Sequence, residues 1–232
     1  MLTVENLAAS YGPAQVLFDV SLAVGAGEVV TLLGRNGMGK TTTIRTLMGL
    51  LPAHGGSATF DGVSLVGLPP YRIAQAGLGL VPEGRHVFPT LSVEENLVAT
   101  AAARFGAPRW TLDRVYAFFP ALAARRGNMG NQLSGGEQQM LAVGRALMTN
   151  PKLLILDEAT EGLAPKIRTE IWACLARLKQ EGQAILLVDK HLDALIRLAD
   201  RHVMIEKGHV VWTGTSAALS ADQMVRRRYL QV

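Results

Sequence analysis

Short apolar runs alternate along this chain with stretches of helical periodicity. Four runs have the length of strands: Val29–Leu33, Lys152–Leu156, Ala184–Val188 and His202–Ile205. The middle two are apolar on both faces, as expected of buried parallel strands covered by helices. The pattern therefore predicts an α/β fold with a mostly parallel sheet.

The amino-terminal part follows a different period. The first ~25 residues and the segment Ser57–Phe60 alternate apolar and polar positions, which is the pattern of a strand with one solvated face. This alternation is typical of antiparallel strands. We therefore expect an antiparallel β flap beside the main sheet.

Helical periodicity dominates the middle of the chain, roughly Val87 to Thr149. Ser92 and Glu95 have the spacing of a capping box, and Thr111 is placed to cap a second helix that ends before Pro120. These signals predict a mainly helical segment between the strands.

Two further helices are predicted beside the strands. One begins after the strand Val29–Leu33 and runs to Leu51. The other begins with Pro165 in its first turn and ends near Gly182, with apolar residues at helical spacing.

Composition and charge narrow the possible classes. The formal net charge is only +4, and the basic triplet Arg226–Arg228 is not interleaved with aromatic residues except Tyr229, so we expect no nucleic-acid partner. No stretch approaches the ~18–20 apolar residues of a membrane helix. The single cysteine, Cys174, and a start without signal-peptide organisation favour the cytosol, and Cys174 is expected to be a small buried residue.

A glycine-rich segment directly after the strand Val29–Leu33 matches the pattern G-x-x-x-x-G-K-[ST]. Its residues are Gly34, Arg35, Asn36, Gly37, Met38, Gly39, Lys40 and Thr41. Glycines let successive N–H groups point at phosphate oxygens, and the following helix adds its positive end. Lys40 would reach the outer phosphates, and the Thr41 hydroxyl suits Mg²⁺. A nucleotide site is therefore predicted.

Two acids end the apolar run Lys152–Leu156. Asp157 lies at the carboxyl end of a parallel strand, where such sheets bind ligands. We expect Asp157 to hold Mg²⁺, directly or through water, and Glu158 to orient and polarise the attacking water.

A third segment begins with Ser134 and Glu137, which have the spacing of a capping box opening a helix that reaches Met148. Gly135 and Gly136 follow the cap, although glycine lowers helix stability. Bare N–H groups at a helix N-terminus approach an anion closely, so a cap alone does not account for the pair.

With this segment the sequence resembles the ATP-binding cassette (ABC) superfamily over nearly its whole length. The resemblance implies a RecA-like P-loop NTPase with a mostly parallel sheet, an antiparallel β flap and an inserted helical lobe. It predicts one ABC ATPase domain over residues 1–232, with a core at 1–86 and 150–232 and a helical subdomain at 87–149 that carries the signature.

The resemblance also implies that two subunits enclose two ATP molecules with Mg²⁺. Tyr11 matches the family's adenine-stacking aromatic residue, and Glu83 joins Thr41 and Asp157 as a candidate Mg²⁺ ligand. The residues expected to contact ATP are Tyr11, Gly34, Arg35, Asn36, Gly37, Met38, Gly39, Lys40, Thr41 and Thr42 in one subunit, and Ser134, Gly135, Gly136 and Glu137 in the other.

A finer resemblance is to the ATPases of branched-chain amino acid importers. It rests on Glu83, where most cassettes carry glutamine, on the segment from Phe88 to Asn96, and on Gly162 to Pro165, where Ala164 replaces the usual aspartate. Importers of urea or short amides share much of this pattern, and exporter ATPases share the catalytic residues.

The chain departs from the family after the strand Ala184–Val188, where most cassettes carry a switch histidine. Counting back from the landmark that begins at Ala199 places the switch at Lys190. We therefore predict Lys190 as the switch residue, with His191 taking that role if the register shifts by one. Ala159 also replaces the proline that usually follows the catalytic acid, for which we expect no chemical consequence.

The resemblance further implies the partners. They are membrane permease subunits, a second and related ATPase in a head-to-tail dimer, and indirectly a solute-binding protein. The expected location is the cytoplasmic face of the inner membrane.

Three other classes fit the sequence less well. Cassettes that act on DNA need a long coiled-coil insertion, for which this chain has no room, and those that act on ribosomes usually carry two cassettes, whereas this chain has one set of motifs. Phosphate-loop kinases or GTPases lack the Leu133 to Gly136 signature.

Overall fold

Two β-sheets organise the chain in its computed structural model, which describes residues 1–230. Within these residues the larger sheet has six strands, and their spatial order is β10-β9-β3-β8-β7-β6. The strands are β3 (Val29–Leu33), β6 (Leu78–Val81), β7 (Leu153–Asp157), β8 (Ala184–Val188), β9 (Arg201–Glu206) and β10 (His209–Thr215). All neighbours pair in parallel except β9 and β10.

The smaller sheet is antiparallel and has the order β2-β1-β4-β5. Its strands are β1 (Leu2–Tyr11), β2 (Ala14–Val24), β4 (Ala53–Phe60) and β5 (Val63–Ser64). The alternating pattern of the first residues produces this sheet, because one face packs on the core while the other faces solvent. The predicted fold class is confirmed, including the antiparallel flap.

Helices cover both faces of the larger sheet. They are α1 (Lys40–Leu47), α2 (Pro70–Ala76), α3 (Val93–Val98), α4 (Leu112–Phe118), α5 (Pro120–Ala124), α6 (Gly135–Met148), α7 (Pro165–Gln180), α8 (Leu192–Leu198), α9 (Ser216–Ala221) and α10 (Gln223–Val225). A 3₁₀ turn occupies Gly130–Gln132, and a π-helical turn occupies Arg226–Leu230. In the part of the chain that the structure describes, no helix combines the length and apolarity needed to cross a membrane.

Burial on both faces explains the apolar strands. In β7, Leu154 and Leu156 point into a core that includes residues of α6 and α7, whereas Leu153 and Ile155 point into a second core that includes residues of α1. Successive side chains of a strand alternate between faces, so a strand between two helical layers is apolar throughout. Cys174 is buried in the first core, as expected.

Several predicted boundaries need correction. The helix after β3 ends at Leu47 rather than Leu51, because Gly49 adopts a left-handed φ of 69°. The Leu50 and Gly49 N–H groups then donate to the carbonyl oxygens of Arg45 and Thr46, which is a Schellman termination. The predicted strand Lys152–Leu156 begins and ends one residue later.

The short elements that were not predicted from the sequence include β5, β6, β10, α2, α8 and α9. The helices α3, α4 and α5 each contact α6. The division into a core and a helical subdomain at residues 87–149 stays a prediction.

Candidate functional site

The carboxyl ends of β3, β8, β7 and β6 lie along one edge of the sheet because these strands are parallel neighbours. Ligands of open α/β sheets bind at this edge. The segment Gly34–Thr41 follows β3, Lys190 follows β8, Glu158 follows β7 and Glu83 follows β6. The topology therefore gathers residues that are up to 156 positions apart in the sequence.

The loop Gly34–Thr41 needs glycine where its backbone contacts other segments. Gly34 has φ 145°, and a Cβ there would lie 2.3 Å from the Ile205 carbonyl oxygen; Gly39 has φ 110°, and a Cβ there would lie 2.9 Å from a Leu17 methyl carbon. Any side chain at Gly34 would displace backbone. The loop is thus held against β9 and β2.

Lys40 is 7% exposed, and its ammonium donates to the carbonyl oxygens of Gly34 at 2.9 Å and Arg35 at 3.0 Å. Burial lowers the pKa of Lys40, while the carboxylates of Glu158, Asp157 and Glu161 oppose that change. A charged donor folded onto its own loop is positioned to exchange these carbonyls for phosphate oxygens.

Thr41 and Asp157 come together from α1 and β7. The Thr41 hydroxyl donates to Asp157 Oδ1 at 3.3 Å, and Asp157 is 3% exposed. Burial raises the pKa of Asp157, the Glu83 carboxylate raises it further, and the Thr41 hydrogen bond and Lys40 oppose the rise. The carboxyl groups of Asp157 and Glu83 thus line one pocket together with the Thr41 hydroxyl.

This oxygen set fits Mg²⁺, which prefers carboxylate and hydroxyl ligands. Thr41, Asp157 and Glu83 would hold the ion. A divalent cation would offset both the burial and the Glu83 charge that raise the pKa of Asp157.

Glu158 follows β7 in an unusual backbone conformation, with φ 51°. Its N–H donates to the Val188 carbonyl oxygen at 2.8 Å, which ties this turn to β8. A hydrogen bond to Glu161 and burial raise the pKa of Glu158 to about 7. A carboxylate with a pKa near neutrality is suited to general base catalysis at physiological pH, and strained backbone often occurs at functional sites.

Glu161 is a site residue that the sequence analysis missed. Carboxylate oxygens of Glu83, Glu158 and Glu161 all lie within 4.8 Å of one another. Glu161 also binds the Lys190 ammonium at 2.6 Å, and its pKa is lowered by the hydrogen bonds from Glu158 and Lys190. Only its position four residues after Asp157 could have drawn attention to it.

Lys190 and His191 have different surroundings. The Lys190 side chain is 60% exposed and lies at Glu161. His191 instead binds Asp189 Oδ1 through Nδ1 at 2.7 Å and accepts from Arg168 through Nε2 at 2.8 Å. Asp189 also accepts from the Thr160 hydroxyl at 2.6 Å. These contacts support Lys190 as the switch residue, and the assignment stays a prediction.

The neighbours of the signature residues lie outside the phosphate-binding loop. Ser134 and Glu137 form the predicted capping box at the start of α6, and Glu137 also binds Arg125 at 2.9 Å. A Cβ on Gly136 would lie 2.4 Å from Ile167, and one on Gly135 would lie 2.7 Å from the Arg85 guanidinium. The glycines thus leave room for neighbouring side chains as well as for a close approach to an anion.

The remaining predicted ATP contacts are spread around the loop. Tyr11 ends β1, is 42% exposed and has the Arg45 guanidinium 5.9 Å from its ring centre.

Within the glycine-rich loop, Arg35 donates to the Arg228 carbonyl oxygen at 3.0 Å. The Met38 carbonyl oxygen accepts from Gly208. Asn36 and Gly37 are exposed at the tip of the loop, and Thr42 is buried in α1.

Together, a glycine-rich loop between a buried strand and a helix, a buried aspartate facing its threonine, and a glutamate directly after that aspartate define a P-loop nucleotide hydrolase. The family model described as ABC transporter matches residues 17–161. The chain belongs to the ABC transporter family and is an ATPase of that family.

Individual relatives agree with this assignment. BraG of Pseudomonas aeruginosa, a high-affinity branched-chain amino acid transport ATP-binding protein, is 44% identical, with 99% of each chain covered. LptB of Haemophilus influenzae, a lipopolysaccharide export system ATP-binding protein, is 36% identical and covers 99% of this chain and 97% of LptB. A solved ATP-binding subunit of an ABC transporter superposes with a TM-score of 0.84 at 29% identity, covering 100% of this chain and 96% of that one.

Proposed function

We propose that this chain is the ATP-hydrolysing subunit of an importer for branched-chain amino acids or similar small amino acids and amides. The observation that carries the proposal is the 44% identity to BraG over 99% of both chains. Glu83, one of the residues on which the resemblance to this importer type rests, has a carboxylate oxygen within 4.8 Å of one from Glu158. The proposed location is the cytoplasmic face of the inner membrane.

The proposed chemistry begins with binding. Lys40 leaves the carbonyls of Gly34 and Arg35 for the outer phosphates of ATP, and Tyr11 stacks on adenine. Thr41 and Asp157, with Glu83 beside them, hold Mg²⁺. When bound, Mg²⁺ neutralises phosphate charge.

Hydrolysis then depends on Glu158. Its carboxylate orients a water molecule for in-line attack and accepts the water's proton. A pKa of about 7 suits that exchange because the group takes up and releases a proton near physiological pH.

A second ATPase subunit completes the site in this proposal. Ser134–Gly136 open the 14-residue helix α6, whose N-terminus offers N–H groups to an anion. In their own chain their close neighbours are Arg85 and Ile167, so the phosphate they bind belongs to a partner's loop. We propose a head-to-tail pair with a related ATPase, docked on two permease subunits and served by a solute-binding protein.

An export motor is the second candidate because LptB is 36% identical over nearly the same length. Its partners and substrate differ, whereas its catalytic residues would be the same. Import and export can therefore be distinguished only by measuring the direction of transport, because both motors hydrolyse ATP.

The deciding experiment is transport in proteoliposomes. The chain is assembled with the permeases, second ATPase and solute-binding protein encoded beside its gene, and ATP-dependent uptake of radiolabelled leucine and of urea is measured. We expect accumulation of leucine and its loss in the Lys40→Ala complex. Intact ATP hydrolysis without uptake of either compound would refute the import assignment and favour the export candidate.

A further inference from the structure

The Glu161 carboxylate lies between Lys190 and Glu158. The Lys190 ammonium is 2.6 Å from Glu161 Oε1, and carboxylate oxygens of Glu158 and Glu161 lie within 4.8 Å of one another. Glu161 therefore lies beside both the predicted switch residue and the predicted base.

Local backbone structure fixes the position of Glu161. Its N–H donates to the Glu158 carbonyl oxygen at 3.1 Å, which closes a turn directly after β7. Gly162 follows with φ 66° and turns the chain toward α7. Because the turn begins at Glu158, the two carboxylates are held on the same side of the site.

Lys190 has no such local support. It follows β8 by two residues, and its long side chain is 60% exposed. A free lysine of this kind samples many rotamers, and ordering it is costly in entropy. His191, next in sequence, is directed elsewhere by its bonds to Asp189 and Arg168. Glu161 supplies the contact that keeps the Lys190 ammonium at the site.

We propose that Glu161 is a positioning residue that holds the Lys190 ammonium beside Glu158, so that this lysine serves the hydrolytic step in place of the usual switch histidine. The inference rests on the proposed ATPase site and deepens it by assigning a role to Glu161. A surface ion pair without this role would contribute little to the protein and nothing to turnover.

The test is a double-mutant cycle in the assembled transporter. We expect Glu161→Gln and Lys190→Gln each to lower kcat for ATP hydrolysis about fivefold, with KM for ATP changing less than about twofold. Because both changes break the same contact, kcat of the double variant should be no lower than kcat of the less active single variant. Phosphate release gives kcat and KM for each complex.

Two matched variants separate positioning from loss of charge or of structure. Glu161→Asp keeps the carboxylate and should recover part of the lost kcat. Glu170→Gln removes an exposed carboxylate from α7 and should match the wild type.

An unchanged kcat in Glu161→Gln, or fully multiplicative effects in the double variant, would overturn the inference. The proposed function fails separately, if the wild-type complex hydrolyses no more ATP than the Lys40→Ala complex.

Discussion

The Thr41 hydroxyl donates to Asp157 Oδ1 at 3.3 Å across 116 positions of sequence. This contact joins the first residues of α1 to the last residue of β7. Since β3 and β7 both flank β8, their carboxyl ends are brought close enough for one side chain from each to share a ligand.

Asp157→Asn is expected to remove the advantage that Mg²⁺ gives to ATP binding. The substitution keeps the shape of the side chain but removes the charge that faces Thr41 and Glu83, so affinity for Mg-ATP should fall about tenfold or more. Titration calorimetry with ATP in Mg²⁺ and in EDTA measures the difference. Glu170→Gln is the charge control, and a full Mg²⁺ effect in Asp157→Asn would contradict the proposed ligand.

Ser134→Ala is expected to lower both stability and ATP hydrolysis, whereas Ser92→Ala should lower stability alone. Both serines form capping boxes, at α6 and α3, and loss of such a cap costs about 1 kcal/mol. Only Ser134 is proposed to meet a partner's phosphate. Urea unfolding and ATPase assays of the assembled complex compare the pair, and equal losses of turnover would argue against a role for Ser134 in the dimer.

Lys190→Ala and His191→Ala are expected to act on different properties. Lys190 contacts Glu161 at the edge of the sheet where the predicted base Glu158 lies, so its removal should reduce turnover with little loss of stability. His191 links Asp189 to Arg168, so its removal leaves buried Asp189 short of a donor and should cost about 1–3 kcal/mol. Turnover is measured at a temperature where both variants are folded. If only His191→Ala then reduces turnover, the register that places Lys190 at the switch is wrong.

His202 is expected to make the protein less stable in acid. It is fully buried between the hydroxyls of Thr31 and Ser216, and burial lowers its pKa from 6.5 to about 4. The unfolded chain therefore binds a proton first as pH falls. Stability is complete above about pH 6.5 and declines toward pH 4, by about 3 kcal/mol from this residue.

Urea unfolding at several pH values tests this effect through a comparison with His202→Gln. The variant loses hydrogen bonds and should be less stable at pH 8, but its stability should depend less on pH between 6.5 and 4. Parallel pH curves for the two proteins would show that His202 does not titrate as its burial predicts.

Much of the fold was predictable because its signals are local. The capping boxes at Ser92 and Ser134 and the glycine-rich loop depend on residues a few positions apart, and all have the expected geometry or position. The fully buried strands Val29–Leu33 and Ala184–Val188 were bounded correctly, since each run is flanked by polar residues or glycine. Short elements such as β6 and β10 lack so clear a pattern, because a strand of four residues or a partly exposed edge strand carries few apolar positions.

The sequence by itself predicted the nucleotide-binding chemistry, through Gly34–Thr41, Asp157–Glu158 and the signature from Ser134. Only the tertiary structure decided that Glu161 lies beside Glu158 and binds Lys190, and that His191 is turned toward Asp189 and Arg168. The reason is that side-chain pairing between separate loops depends on which strands are neighbours and on how each turn leaves its strand. Neither the order of the strands in the sheet nor the path of each turn can be read from the spacing of residues along the chain.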